Sequence, residues 1–156
     1  MDITYIKNNY SFQCRVSACI FNKEMTKLLV FQAHGKNVHL LVGGKMHEKE
    51  KSFDALKREL KEELGWEITE ATFLAISEEF IPDQNAFLQQ INFIYKVICN
   101  QDAYPLEFHG LEGDWITFKW IDIEEIDHYK IYPAMVKKMV RNPEKVYNFV
   151  DDLIEK

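Results

Sequence analysis

The stretch GGKMHEKEKSFDALKRELKEELGW, residues 43–66, contains the pattern that decides the fold of this chain. Two adjacent glycines precede a charged segment whose apolar residues recur at spacings of three, four and four between Phe53 and Leu64. This spacing is typical of an amphipathic α-helix that packs one side against a core. We predict a helix that begins near Ser52, a good N-cap residue, and ends at Gly65.

Three glutamates of this predicted helix, Glu59, Glu62 and Glu63, are separated by three positions and by one. With about 100° of rotation per residue, they share one face and border the apolar stripe, so all three carboxylates are expected to look into a groove beside the sheet. Like charges this close repel each other unless a cation lies between them. Carboxylates without nearby His or Cys ligands favour Mg²⁺ or Mn²⁺ over zinc. A Lys- and Glu-rich helix by itself is more often a solvated surface.

The run of residues 44–66 resembles the signature box of the Nudix hydrolases at every fixed position. Those positions are Gly44, Glu50, Arg58, Glu59, Leu60, Glu62, Glu63, Gly65 and the apolar Trp66. The chain departs from many relatives at Val42, His47 and Lys49, where Pro, Glu and Gly are common. These departures affect the shape of the loop and remove no carboxylate from the pattern.

The rest of the chain predicts strands on both sides of this helix. Strands are predicted at residues 12–21, 27–31, 38–42, 71–81, 86–99 and 115–121. At Gly43 and Gly44 the backbone is expected to bend sharply or to come close to a ligand. A helical turn is predicted at residues 123–127 and helices at 132–140 and 144–154, and residues 100–114 are expected to form a long functional loop. Hairpins outnumber parallel crossovers, so the sheet should be mixed. Together with the resemblance, this predicts an α/β protein, a Nudix-type α/β/α sandwich, with one domain over residues 1–156.

The composition narrows the class of partner. The formal net charge of −6 and the pI near 5.4 argue against long nucleic acids, which require a basic face. Three cysteines, without metal-ligand spacing, are typical of buried, reduced thiols. Because no leader and no apolar run of about eighteen residues is visible, we expect a cytoplasmic protein without a membrane partner.

The resemblance implies a Mg²⁺- or Mn²⁺-dependent reaction in which water attacks one phosphorus of a diphosphate linkage. By that resemblance, Glu59, Glu62 and Glu63 are metal ligands, and either Glu59 or Glu62 also accepts the proton of the water. Arg58 orients one of these glutamates or pairs with Glu62 on the next turn. The expected partner is a small nucleotide-like diphosphate, and a homodimer is one expectation for the oligomeric state because many relatives are dimers.

Further residues outside the glutamate cluster are candidates for the same site. Glu50 would support the metal site through water or stabilise the loop, and the backbone carbonyl of Gly43 is a candidate metal ligand because no side chain obstructs it. Arg15 and Lys45 are candidates for binding substrate phosphates, although a surface role fits either equally well. His47 is more typical of an exposed loop than of a phosphate contact.

Many relatives complete the site with a carboxylate from the loop before the last strand. The candidates in this chain are Glu107, Glu112 and Asp114, each of which is also an ordinary loop acid.

The resemblance leaves the substrate and two alternative functions open. Nucleoside triphosphates, ADP-ribose and nucleotide sugars are all candidate substrates, and Pro82, sixteen residues after Trp66, is a hint of the ADP-ribose pattern. A nucleotide-binding or sensor module is an alternative, although such modules have typically lost box glutamates. An enzyme similar to isoprenoid-diphosphate isomerases is another, in which Cys99 would have to be reactive.

Overall fold

The computed structural model describes residues 1–101 and 104–154, which form a single ten-stranded sheet with two α-helices and one 3₁₀-helix. The strands are β1 (Thr4–Lys7), β2 (Tyr10–Phe21), β3 (Lys27–Ala33), β4 (His39–Lys45), β5 (Thr72–Asp83), β6 (Ala86–Ile98), β7 (Glu107–Gly110), β8 (Gly113–Asp122), β9 (Ile131–Tyr132) and β10 (Tyr147–Asp152). The helices are α1 (Ser52–Leu64), α2 (Val136–Arg141) and the 3₁₀-helix Ile123–His128.

The sheet is mixed, as the count of hairpins predicted. Its main path runs β10-β5-β6-β2-β4-β3-β8-β7, with β1 paired to β2 and β9 paired to β4. Strands β2 and β6, β5 and β10, and β4 and β9 are parallel, whereas the other pairs are antiparallel. The α/β class with a mixed sheet is therefore confirmed.

Two separate apolar clusters form the core. Alternate residues of β2 point in opposite directions, so Val16 and Ile20 join the cluster that contains α1, whereas Phe21 joins the cluster that contains α2. All three cysteines are free. Cys19 and Cys99 are buried, as predicted, whereas Cys14 is only partly buried. No helix in the described ranges has both the length and the hydrophobicity needed to cross a lipid bilayer.

Helix α1 follows the predicted apolar spacing. Leu56, Leu60 and Leu64 are buried, and Gly65 ends the helix in the left-handed conformation at φ 73°. The N-cap prediction is wrong by one residue. Ser52 is the first helical residue, and its hydroxyl lies 2.7 Å from that of Tyr95 instead of capping the helix.

The predicted bend after Val42 is wrong, because β4 continues through both glycines to Lys45. The absence of a side chain at Gly43 instead allows β4 to lie close to β2. A Cβ atom on Gly43 would lie 2.0 Å from the carbonyl oxygen of Val16, the residue before its pairing partner Ser17 on β2, so no side chain fits at this position.

Three predictions for the later part of the chain are wrong. Residues 107–110, placed in the long loop, form β7 and pair with β8, because β8 presents an edge for them; residues 102 and 103 of that predicted loop lie outside the described residues. The predicted helix at 132–140 begins only at Val136, because Ile131 and Tyr132 pair with β4. Residues 147–152 form β10 instead of a helix, since β5 offers an edge strand with which they pair in parallel.

Candidate functional site

The three glutamates of α1 divide into two environments. Glu59 and Glu63 are buried, with 9% of each residue exposed, whereas the Glu62 side chain is 49% exposed. The expectation that all three carboxylates turn into one groove is therefore wrong for Glu62. Two inner carboxylates and one outer carboxylate define the candidate site.

Arg58 connects the inner and outer parts of this cluster. Its guanidinium donates to the Glu59 carboxylate at 2.7 Å and to the backbone carbonyl of Lys45 at 2.9 Å, and it lies 3.5 Å from the Glu62 carboxylate. These contacts fix α1 against the end of β4. The orienting role predicted for Arg58 is consistent with this geometry.

Glu50 uses its carboxylate to hold Arg58 and the loop before α1. It accepts hydrogen bonds from Nε and Nη2 of Arg58 at 2.8 and 3.0 Å, and from the backbone N–H of His47 at 2.8 Å. Hydrogen bonds from Arg58 lower the pKa of Glu50. Of the two roles considered for Glu50, this arrangement supports loop stabilisation.

Gly44, the second glycine of the pair, leaves room for the carboxylate of Glu59. A Cβ atom on Gly44 would lie 2.2 Å from the carboxyl carbon of Glu59. The carboxylate of Glu59 therefore lies directly against the backbone of β4, in a position that only glycine leaves open.

Glu63 has the least favourable electrostatic environment in the cluster. Burial raises the pKa of Glu63 to about 8, and the negative charges of Glu59 and Glu112 act in the same direction. Arg15 and the backbone N–H of Gly43 oppose this shift. One buried oxygen of Glu63, Oε2, has no hydrogen-bond partner among the described residues. Such an atom destabilises the fold unless a cation or a proton satisfies it.

This unsatisfied oxygen beside a second buried carboxylate fits a divalent cation. Within residues 1–101 and 104–154, no three acidic, His or Cys side chains are grouped closely enough to hold a metal by themselves. Mg²⁺ commonly binds proteins through one or two carboxylates and completes its octahedron with water and substrate phosphates. Glu59 and Glu63 provide the two carboxylates that such a Mg²⁺ site needs.

Of the three loop acids, Glu112 is placed near Glu63. The backbone N–H of Leu111 donates to the carbonyl oxygen of Glu63 at 2.9 Å, which brings the turn between β7 and β8 to the end of α1. Glu107 lies at the start of β7 and Asp114 in β8, and both are exposed.

Lys45, Cys99 and Pro82, which the sequence also singled out, lie in three different surroundings. Lys45 is exposed, and its Nζ atom lies 3.9 Å from the Asp2 carboxylate. Cys99 is packed in the apolar cluster with α1, so the chemistry of a reactive thiol is not supported. Pro82 is exposed near the β5–β6 turn and lies outside the lining of the cavity described next.

Arg15 lines a cavity of about 820 Å³ between the sheet and the segment that precedes α2. Its guanidinium donates to the Ser17 hydroxyl at 3.2 Å and to the carbonyl oxygen of Leu41 at 3.4 Å. Partial burial lowers the pKa of Arg15, while the charges of Glu63 and Glu79 oppose this effect. Arg15 is therefore electrostatically coupled to α1 and to the cavity.

The sequence interpretation missed the polar residues of this cavity. Glu79 and Asp151 are 1% and 5% exposed and line it together with Tyr132. The available signal was the alternation of Ser77 and Glu79 in β5, because polar residues at two successive positions of one strand face are unusual where that face is buried.

The raised pKa of Glu63 predicts a pH-dependent stability of the metal-free protein. Its carboxyl group titrates near 4.5 when unfolded and at about 8 when folded, so the folded state retains a proton that the unfolded state has lost. Stability should therefore fall as pH rises between these values, by up to roughly 5 kcal/mol. Urea denaturation with EDTA at pH 5 and pH 8 measures this difference.

Matched variants identify the source of that pH dependence. Glu63→Gln should abolish most of it, because glutamine does not titrate, whereas Glu70→Gln, which alters an exposed acid before β5, should retain it. An unchanged slope in Glu63→Gln would contradict the assignment to this carboxyl group.

Comparison with known families and structures gives one consistent result. The family profile described as NUDIX domain matches residues 12–142. The fold is similar to a mutator MutT protein from Bacillus halodurans, with a TM-score of 0.69 and 16% identity over 92% of this chain and 93% of that chain. A search of curated proteins found no match.

Two further solved structures have different ligands or activities in their descriptions. The NUDIX domain of NrtR from Shewanella oneidensis, complexed with ADP ribose, gives a TM-score of 0.64 at 15% identity, over 90% of this chain and 91% of that chain. The dihydroneopterin triphosphate pyrophosphohydrolase of E. coli gives 0.63 at 14% identity, over 83% and 94%. At these identities the similarity shows the fold alone.

Proposed function

This chain belongs to the NUDIX domain family, and from that membership we propose that it is a divalent-metal-dependent hydrolase of a nucleoside diphosphate derivative. The observation that carries the proposal is the buried pair Glu59 and Glu63, with one Glu63 oxygen left unsatisfied. Glu59 already has Arg58 as a partner at 2.7 Å, whereas Oε2 of Glu63 has none among the described residues, so a cation between the two carboxylates would satisfy it. The pair is therefore a site that becomes favourable when Mg²⁺ or Mn²⁺ is bound.

We propose distinct roles for the acids of α1. Glu59 and Glu63 would hold the cation, with Glu62 at the outer side of the same site. When bound, the cation supplies charge neutralisation at the diphosphate and promotes ionisation of the attacking water. Glu62 is half exposed and its contact with Arg58 is long, at 3.5 Å, so its carboxylate is well placed to accept a proton from that water.

Arg58 would orient Glu59, and Arg15 would attract the substrate phosphates. Arg58 fixes Glu59 through a 2.7 Å hydrogen bond and is itself fixed by Glu50, so the acid is oriented before substrate arrives. Arg15 is coupled to Glu63 and also lines the cavity. A substrate with phosphates near α1 and its nucleoside in the cavity would therefore pass Arg15, whose charge favours the phosphates.

A nucleotide panel tests this proposal. Nucleoside triphosphates, ADP-ribose and nucleotide sugars are incubated with the full chain and Mg²⁺, Mn²⁺ or EDTA, and the phosphorylated products are separated by ion-exchange chromatography. We expect at least one substrate class to be hydrolysed with Mg²⁺ or Mn²⁺ and none with EDTA.

A different result would replace the proposal. Metal-independent turnover would contradict the role of the two buried acids. Nucleotide binding without hydrolysis under any of these conditions would instead assign the chain as a binding module.

A further inference from the structure

One face of the sheet is covered by α1 over only part of its area. Helix α1 packs on this face against the second half of β2, where Val16, Ala18 and Ile20 belong to the apolar cluster that contains the helix. Because residues two apart on a strand share a face, Tyr10 and Phe12 in the first half of β2 point to the same side. Neither of these two aromatic residues is buried. The face therefore continues beyond α1 as a surface without a helix on it.

The strand register extends this surface over β1, β6, β5 and β10. Phe12 is paired with Tyr5 on β1 and with Gln89 on β6, and Gln89 is paired with Phe80 on β5. Directly paired residues point to the same side of a sheet and are close enough to interact. We call this surface the uncovered face. Its apolar side chains include Tyr5, Phe12, Phe80, Phe87, Ile91 and Val150.

The polarity of the two sides of these strands is the reverse of the usual arrangement. A sheet with one solvated side commonly turns apolar residues to the core and polar residues to water. Here the opposite side buries five polar residues, each at most 8% exposed: Gln13, Ser77, Glu79, Gln90 and Asn92. On the uncovered face, the apolar Tyr5 and Val150 are 55% and 59% exposed. Contiguous apolar groups on an exposed side are typical of an interaction surface.

Polar groups at the centre of the uncovered face are paired with each other. The Tyr10 hydroxyl donates to Oε1 of Gln89 at 2.9 Å. The rings of Tyr10 and Phe87 stack with their centroids 6.0 Å apart and their planes 14° apart. These contacts fix the side chains in place and satisfy two polar atoms within the chain. Removing water from this part of the surface therefore costs less than it would for unpaired groups.

Charged residues lie at the two ends of the uncovered face and have opposite signs. Lys7, which is paired with Tyr10, lies on β1 at one end. Glu78, which is paired with Ile91, lies on β5 towards the other end, where Asp152 on β10 adds a second acid. Lys7 and Glu78 are exposed, and neither forms an ion pair with another residue within 1–101 and 104–154. A surface that is basic at one end and acidic at the other is complementary in charge to a second copy of itself.

We infer that two copies of this chain pack sheet against sheet through the uncovered face, about a twofold axis that lies between β2 and β6. In this arrangement β1 of each copy lies opposite β5 of the other, so Lys7 faces the half that carries Glu78, and this contact occurs twice. The aromatic residues form the apolar centre of the interface and the charged residues form its rim. Helix α1 and the cavity that Arg15 lines lie outside this interface, so the inference is independent of the proposed function.

Sedimentation velocity of the full chain tests whether a second copy binds. Over protein concentrations from about 1 to 100 µM, we expect the dimer to predominate at least at the upper end of the range. A chain that stays monomeric over this range would overturn the inference and leave the uncovered face to a partner other than a second copy.

Adjacent residues on β1 provide matched variants. Tyr5 and Ile6 are both exposed, but they point to opposite sides of the sheet. Tyr5→Lys removes an apolar contact and adds a second cation beside Lys7, so it should raise the dimer dissociation constant by at least roughly 10-fold. Ile6→Lys should leave this constant within roughly 3-fold of wild type. Thermal unfolding confirms that both variants are compared in the folded state, and equal dissociation constants for the two would contradict an interface on the uncovered face.

A charge exchange tests the twofold arrangement at exposed positions alone, so it remains decisive even if Tyr5→Lys does not fold. At an ionic strength of about 0.05 M, charges interact over more than about 10 Å. Lys7→Glu and Glu78→Lys should each weaken the dimer by roughly 3- to 30-fold, because each change brings like charges together twice. The double variant restores opposite charges and should return to within roughly 3-fold of wild type. A double variant no better than the single variants would overturn the arrangement.

Lys36→Glu is the control for net charge. It alters an exposed residue between β3 and β4, away from the uncovered face, and changes the charge of the chain by the same amount as Lys7→Glu. We expect it to dimerise like the wild type. Equal weakening by Lys36→Glu and Lys7→Glu would show a general charge effect and would count against the pairing of the two ends.

Discussion

Replacing Glu63 with Gln is expected to reduce kcat by at least about 10²-fold, because it removes charge from the proposed cation site. The same replacement should make the metal-free protein more stable at pH 8, since it removes a buried carboxylate whose pKa is raised to about 8. Loss of activity together with gain of stability is the expected signature of an acid retained for function. Steady-state kinetics and urea denaturation measure the two effects.

Two further variants define the specificity of this effect. Glu62→Gln should also reduce kcat by at least about 10²-fold, but with little change in stability, because its side chain is half exposed. Glu67→Gln removes an exposed acid that pairs with the exposed Lys61 and should leave kcat unchanged. Wild-type turnover in Glu62→Gln and Glu63→Gln would exclude the proposed site.

The two adjacent glycines of β4 should respond differently to substitution with alanine. In Gly43→Ala, the added carbon would collide with the backbone of Val16 at 2.0 Å, which a rigid strand cannot relieve. We expect a loss of about 3 kcal/mol or more, enough to lower Tm by roughly 10 °C. In Gly44→Ala, the clash is with the Glu59 carboxylate, which can move. The fold should survive, and metal-dependent turnover should fall by roughly 10- to 100-fold.

Thermal unfolding and metal titration distinguish these two results. Gly35→Ala serves as the control, because Gly35 has φ 78° and open space around it, so only backbone strain of about 1 kcal/mol is introduced. A Gly43→Ala variant as stable as this control would contradict the close backbone approach. Undiminished turnover in Gly44→Ala would contradict the dependence of Glu59 on its position against the strand.

The elements predicted correctly are those whose signal lies in the local spacing of apolar residues. Helix α1 and the β5–β6 hairpin carry such a signal, and both form close to the expected bounds. Strand β10 does not, because its conformation depends on an edge that β5 provides. Residues of intermediate propensity adopt the strand conformation when they can pair with such an edge.

The candidate site, too, could be predicted only in part from the sequence. The box pattern located Glu59, Glu62 and Glu63, but their division into inner and outer carboxylates depends on packing and on Arg58. Nothing near Glu79 in the sequence identifies Asp151 as its neighbour, since 72 positions separate them (151 minus 79). Their proximity follows from the parallel register of β10 and β5, which is a tertiary property.

The hydrogen bond from Leu111 to the carbonyl oxygen of Glu63 has a mechanical consequence. The last carbonyl groups of a helix have no partner within it, and here the tip of the β7–β8 hairpin supplies one. A displacement of that tip would be transmitted to the backbone from which the inner carboxylate projects. Changes in the length of the hairpin can therefore shift the position of the Glu63 carboxylate through the main chain, without altering any residue of α1.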